Sequence, residues 1–227
     1  MSEMPGRLNK GFNIERGELN RRLEYQTQIP PGYFVVPLKG IEKAEDIVVM
    51  PDKEMEAFLR HIPLIESPDI FPYKDARFFQ HRTSTKGLVT PQRFIQESKI
   101  ISILKGLGEN GPLYKGFGFA GLSHRHAHYV FGKDEQGRDV CGVYFPPLIE
   151  VIGENALLFD GNHRTLICCE SGGTTESVLI KGSSVKPPYG SIPWHTTYVT
   201  EKPPIKERYV DLVPALFKNF DWVGIDG

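Results

Sequence analysis

The sequence predicts an α+β protein, a small mixed sheet with helices packed on it and the β-rich part in the second half. Three observations carry that expectation. An apolar stripe at helical spacing follows Pro51-Asp52. Short segments rich in β-branched and aromatic residues fill positions 126–180. Between Leu157 and Ile167 an apolar strand pattern passes into a helix pattern through Asp160 and Gly161. No internal repeat and no low-complexity tract competes with this reading.

In chain order, residues 1–32 are polar and read as an N-terminal arm or surface helix that ends at Pro30-Pro31-Gly32. Residues 33–227 read as a single α+β domain, because no linker interrupts them. Tyr33–Pro37 and Ile47–Met50 read as short strands. The helix after Pro51 carries Met55, Phe58, Leu59 and Ile62 and stops at Pro63. A second helix is expected from Thr90-Pro91, with Thr90 as N-cap and Phe94, Ile95, Ile101 and Leu104 as its stripe. Gly106 and Gly108 would end it. His126–Gly132 and Asp139–Phe145 form a hairpin pattern around a polar turn, and Leu148–Ile152 and Ala156–Phe159 form a second strand pair. A short helix follows from His163, then a strand at Ser177–Ile180. A Pro-rich stretch leads to a terminal amphipathic helix with Leu212, Leu216 and Phe220.

Composition excludes several classes. Lys and Arg total 27 against 28 Asp and Glu, a net charge of −1, which argues against a general nucleic-acid coat or polybasic membrane binder. No apolar run approaches the ~20 residues that span a bilayer. A polar N-terminus predicts no secretory leader, and three cysteines cannot build a disulfide framework, so a reduced, cytoplasmic chain is expected. The local exception is Lys74–Lys99, with six basic and two acidic residues around Thr83-Ser84-Thr85. It reads as a solvated loop or, alternatively, as an anion site.

One motif stands above the rest: Asp160-Gly161-Asn162-His163-Arg164, at the point where strand passes into helix. Gly161 permits positive φ, and Asn162 is a good N-cap. His163 and Arg164 then fall in the first helical turn, where positive charge opposes the helix dipole. A bound anion would resolve that conflict, with helix N–H groups and the guanidinium converging on one phosphate. The alternative is a strand-to-helix turn closed by an internal salt bridge.

This strand–Asp-Gly-x-His-Arg–helix arrangement resembles the ParB/sulfiredoxin superfamily. It is closest in motif to the ParB-like ADP-dependent free serine kinases, over about Pro146–Lys181. The resemblance implies a ParB/sulfiredoxin-like core at about 116–200 that holds a nucleotide (ATP, ADP or CTP with Mg²⁺) against the loop. It implies Gly161, Asn162, His163 and Arg164 as phosphate ligands, with Arg82 a candidate for the upstream arginine of the ParB pocket. Asp160, His163 and Arg164 become the candidate catalytic residues: Asp160 to orient an acceptor hydroxyl or hold Mg²⁺, His163 as phosphate donor or acid/base, Arg164 to neutralise the transferring group. Asn162 stands where sulfiredoxins carry their catalytic cysteine, so sulfinic-acid reduction is not implied. Glu150 and Glu154 are available upstream, but neither sits in a motif matching the kinases' glutamate base.

A second constellation is His124-Arg125-His126-Ala127-His128. Histidines at i, i+2 and i+4 share one face of a strand, so His124, His126 and His128 are candidate ligands for a transition metal or part of a substrate wall. Gly116–Gly121 matches dinucleotide-binding spacing, but a helix and Pro112 precede it and a strand follows, the reverse of what that motif needs. The expected function is therefore a nucleotide-dependent phosphotransferase or phosphohydrolase acting on a small molecule. The alternatives are a nucleic-acid-linked ParB-like nuclease or DNA-modification accessory, a catalytically silent nucleotide-binding module, or a metal enzyme built on the histidine strand.

Overall fold

Phe34-Val35 is a strand sequence that cannot bury its apolar residues alone, and a pairing partner from a distant part of the chain, Val140-Cys141, completes it. The computed structural model describes residues 12–84, 86–109, 126–170, 174–202, 204 and 208–225. These begin with β1 (Ile14–Glu15), α1 (Arg16–Leu23), β2 (Phe34–Val35), β3 (Lys43–Val49) and α2 (Asp52–Arg60). Next come β4 (Arg77–Thr83), β5 (Leu88–Thr90), β6 (Phe94–Gln96) and α3 (Glu97–Glu109). The hairpin β7 (His128–Lys133) and β8 (Asp139–Tyr144) follows, then β9 (Leu148–Ile152), β10 (Asn155–Asp160), α4 (Asn162–Glu170) and β11 (Thr175–Lys181). β12 (Ile192–Pro193) and β13 (Tyr198–Thr200) complete the strands. The architecture is α+β, with mixed sheets of five, six and two strands. No described helix is long and apolar enough to cross a membrane.

The chain forms two compact units, each assembled from separated stretches: residues 1–76, 126–145 and 215–227 in one, residues 77–125 and 146–214 in the other. That discontinuity is why no linker is visible in the sequence. The first unit holds the sheet β1-β2-β8-β7-β3. Its core includes Leu19 and Leu23 of α1, so the N-terminal segment contributes a buried face there. Phe58 of α2 packs on Tyr129 and Phe145, with ring centroids 6.4 and 5.9 Å away. The Asp134 carboxylate accepts from the backbone N–H groups of Gln136 and Arg138, closing the β7–β8 turn at Gly137.

The second unit holds the sheet β12-β5-β10-β9-β11-β4 and the pair β13-β6. Here β9 and β10 form an antiparallel pair, and β11 returns parallel to β9 after α4. Leu88, Ile149 and Leu158 make a core cluster on which Trp194 packs.

Three expectations are corrected. Thr90 caps no helix: it ends strand β5, Phe94–Gln96 is a strand, and the helix starts only at Glu97 and continues through Gly106 and Gly108. Tertiary pairing overrides the Thr-Pro signal, because Pro91–Arg93 is tied by backbone hydrogen bonds to Arg208 and Val210. The Lys74–Lys99 segment is not a loop, since Arg77–Thr83 pairs along its whole length with β11. Nor is there a terminal helix at Leu212–Phe220. Short 3₁₀ turns at Pro214–Leu216 and Phe220–Val223 flank a stretch whose backbone bonds instead to Pro63 and Ile65.

Candidate functional site

The Asp160–Arg164 motif lies where strand β10 passes into helix α4. A register shift between Leu158 and Asp160 places Asp160 opposite Leu148 of β9. Gly161 follows with φ +84°, and a Cβ there would stand 2.7–2.8 Å from Pro147. Only glycine fits that corner. Its carbonyl accepts from the Thr165 N–H at 2.8 Å, so Gly161, not Asn162, is the N-cap residue of α4.

Asn162 is 3% exposed, and its side chain does something other than capping: Oδ1 accepts from the Thr90 hydroxyl at 2.7 Å. The Thr90 oxygen in turn accepts from the backbone N–H of Gln92 at 3.2 Å, and Gln92 Oε1 accepts from Arg208 at 3.2 Å. A hydrogen-bond chain thus runs from the first residue of α4 to a guanidinium forty-six positions farther along the sequence.

Arg164 donates to Asp160 Oδ2 at 2.8 Å, with its side chain 9% exposed and that of Asp160 20% exposed. The cation at the helix start is offset by a carboxylate of the chain itself. His163 turns toward the β6–α3 junction, where Nε2 accepts from the Gln96 N–H at 3.3 Å. In this bond Nε2 is the acceptor.

Tyr189 lies within electrostatic reach of Asp160, and of Glu150, Tyr209 and Arg208. Glu150 lies in the middle of β9 and is 1% exposed. Tyr189 and Tyr209 stack with centroids 5.5 Å apart and planes 7° apart, and the Arg208 guanidinium lies 5.2 Å from the Tyr209 ring centre. Burial pushes the Tyr189 hydroxyl well above its ordinary pKa, and the acidic groups of Glu150, Tyr209 and Asp160 raise it further while Arg208 opposes them.

The structure thus brings together Asp160, Gly161, Asn162 and Arg164, with His163 facing the α3 side. Arg82 stands apart. It sits on edge strand β4 opposite Glu176, bonded to the Thr174 hydroxyl, and β4 lies three strand positions from β10, about 14 Å by the usual strand spacing. Sequence reading missed Gln92, Tyr189, Arg208 and Tyr209. Their signal is an arginine and aromatics in Pro-rich segments without apolar periodicity, which no local rule singles out.

The histidine strand lies in the other unit. His124 and the Gly116–Gly121 stretch fall outside the described residues. His126 Nδ1 is 3.4 Å from Asp52 Oδ1, and His128 is buried with its ring 6.3 Å from that of Tyr144. Among the described residues no group of three or more His, Cys, Asp or Glu side chains gathers to hold a metal ion. No family model, curated protein or solved structure matches the chain.

Proposed function

We propose that this protein binds a nucleotide at the start of α4 and transfers or hydrolyses a phosphoryl group on a small molecule. The observation that carries the reading is the Gly161 corner. It aims the first turn of a helix past a strand end, with Asp160, Asn162 and Arg164 held around it by hydrogen bonds. Helix N–H groups and a guanidinium suit a phosphate, whose charge the helix dipole favours. Mg²⁺ would come with the nucleotide, held by its phosphates and the Asp160 carboxylate, and would supply charge neutralisation. Arg164 would release part of its hold on Asp160 to the phosphate, and Asp160, as the alternative to holding Mg²⁺, would orient an acceptor hydroxyl. His163, bonded to the Gln96 N–H, acts in this reading as a positioning residue for the loop.

A second reading is favoured by the 2.8 Å Asp160–Arg164 pair: a strand-to-helix turn closed by its own salt bridge, with no ligand. Titration of ATP, ADP and CTP with and without Mg²⁺, followed by assay of phosphate release and transfer, separates them. Saturable binding with turnover supports the proposal, and binding without turnover leaves a silent nucleotide module. No binding of any of the three overturns it.

A further inference from the structure

Of the two arginines, Arg164 is paired with a carboxylate and Arg208, among the described residues, is not. Arg164 is paired with the carboxylate of Asp160. Arg208 has a neutral partner, the Gln92 amide oxygen, and the face of the Tyr209 ring. Among the described residues its buried Nε has no hydrogen-bond acceptor, and no carboxylate lies within ion-pair distance of the guanidinium. A desolvated guanidinium N–H without an acceptor is costly, and such a group in a native structure calls for an explanation.

The surroundings hold that guanidinium still. Gln92 fixes one end of it and is itself 6% exposed, anchored through Thr90 to Asn162 at the start of α4. The Tyr209 ring covers one face, and Tyr189 stacks on Tyr209. An arginine with one neutral acceptor, a π face and a fixed plane is preorganised to receive a planar or tetrahedral oxyanion.

We infer that Arg208 is an anion-binding residue of this site, supplying a guanidinium that no described carboxylate pairs with and that a ligand phosphate reads, with the Gln92–Thr90–Asn162 chain setting its position relative to α4. The inference rests on the phosphate-binding reading above and extends it. A second guanidinium, linked to the start of α4 besides that of Arg164, suits a ligand with two or more anionic groups, a nucleoside diphosphate or triphosphate or pyrophosphate, over a monophosphate.

The test is calorimetric titration of the full chain with ADP, AMP and inorganic pyrophosphate, each with Mg²⁺, alongside thermal unfolding of every variant. Arg208→Gln removes the charge. Gln92→Glu keeps an acceptor of the same shape for Arg208 but neutralises the guanidinium by pairing with it. A purely structural Arg208 predicts that Gln92→Glu holds or raises the melting temperature and leaves affinity alone. The inference expects both variants to weaken ADP and pyrophosphate binding by about ten- to a hundredfold, the range for charge-assisted hydrogen bonds. It also expects them to erase most of the preference for ADP over AMP, with Gln92→Glu still fully folded. Unchanged ADP affinity in Gln92→Glu overturns it, as does a loss in Arg208→Gln that only follows a lowered melting temperature. If wild-type protein binds ADP and Arg164→Ala weakens it while both Arg208-directed variants do not, the phosphate reading stands and this inference alone fails. If wild-type protein binds none of the three, both fail.

Discussion

Arg164 reaches back one helical turn to Asp160, so the first turn of α4 carries its own counter-ion at 2.8 Å. A cation at a helix N-terminus is unfavourable, and the sequence alone suggests that a bound anion relieves it. The structure shows relief already present in the chain. Arg164→Ala should therefore lower unfolding free energy by about 1–3 kcal/mol even without ligand, since it strands a partly buried carboxylate. Denaturant unfolding of the apo protein measures this. Arg164→Lys should recover little, because a point charge lacks the guanidinium fork.

Gly161→Ala should cost about 2–4 kcal/mol, combining a left-handed backbone with a Cβ driven into Pro147. Gly153 provides the control. It also has positive φ, at +59°, but a Cβ there meets nothing within 4 Å. Gly153→Ala should cost only about 1–2 kcal/mol, the price of the backbone conformation. Equal losses for the two variants would show that the Pro147 contact is not what demands glycine.

Glu54 in α2 is 1% exposed, and its Oε1 accepts from Tyr129 Oη at 2.6 Å and from the Gln28 N–H at 2.7 Å. Burial raises its pKa, while the Tyr129 and Gln28 hydrogen bonds partly offset that shift. The native state therefore holds this proton longer than the unfolded chain does. Below the ordinary value of 4.5 both states are protonated and nothing is lost. As pH rises through 4.5 toward the raised native value, the unfolded state ionises first and stability falls. Glu54→Gln keeps an acceptor for both donors and should flatten that part of the stability–pH curve. An unchanged slope between pH 4.5 and neutrality would exclude Glu54 as its source.

Helix α3 buries a different stripe from the one its sequence suggests. Ile100 and Ile103 pack against Ile167 and Cys168 of α4, while Ile101 and Leu104 are 46% and 43% exposed. Ile103→Ala should destabilise by about 1–2 kcal/mol and Leu104→Ala by less than about 0.5 kcal/mol. Chemical denaturation of the two variants side by side checks the order.

That helix shows where local reading fails. Four isoleucines and leucines within five residues define no single face, so the choice falls to whichever neighbour packs there, and α4 selects Ile100 and Ile103. Thr90-Pro91 is a sound capping signal, yet the strand partners of β5 and the backbone bonds from Arg208 and Val210 draw the segment into extended pairing. By contrast, α2 appears where its stripe and Pro63 place it, and the β7–β8 hairpin turns at its polar segment.

The Asp160–Arg164 turn was legible for the same reason as α2 and the hairpin: strand period, glycine and helix period follow one another within eleven residues, from Leu157 to Ile167. Interactions between near neighbours in sequence leave a local pattern. The surroundings of that turn leave none. Thr90 meets Asn162 across 72 positions, and Gln92 meets Arg208 across 116. Which hydroxyl holds Asn162, and which arginine meets Gln92, depends on sheet order and on how the Pro-rich segments pair with β5, β6 and Pro91–Arg93. Those are outcomes of long-range packing, where the free energy of pairing is set by partners that the local sequence does not specify.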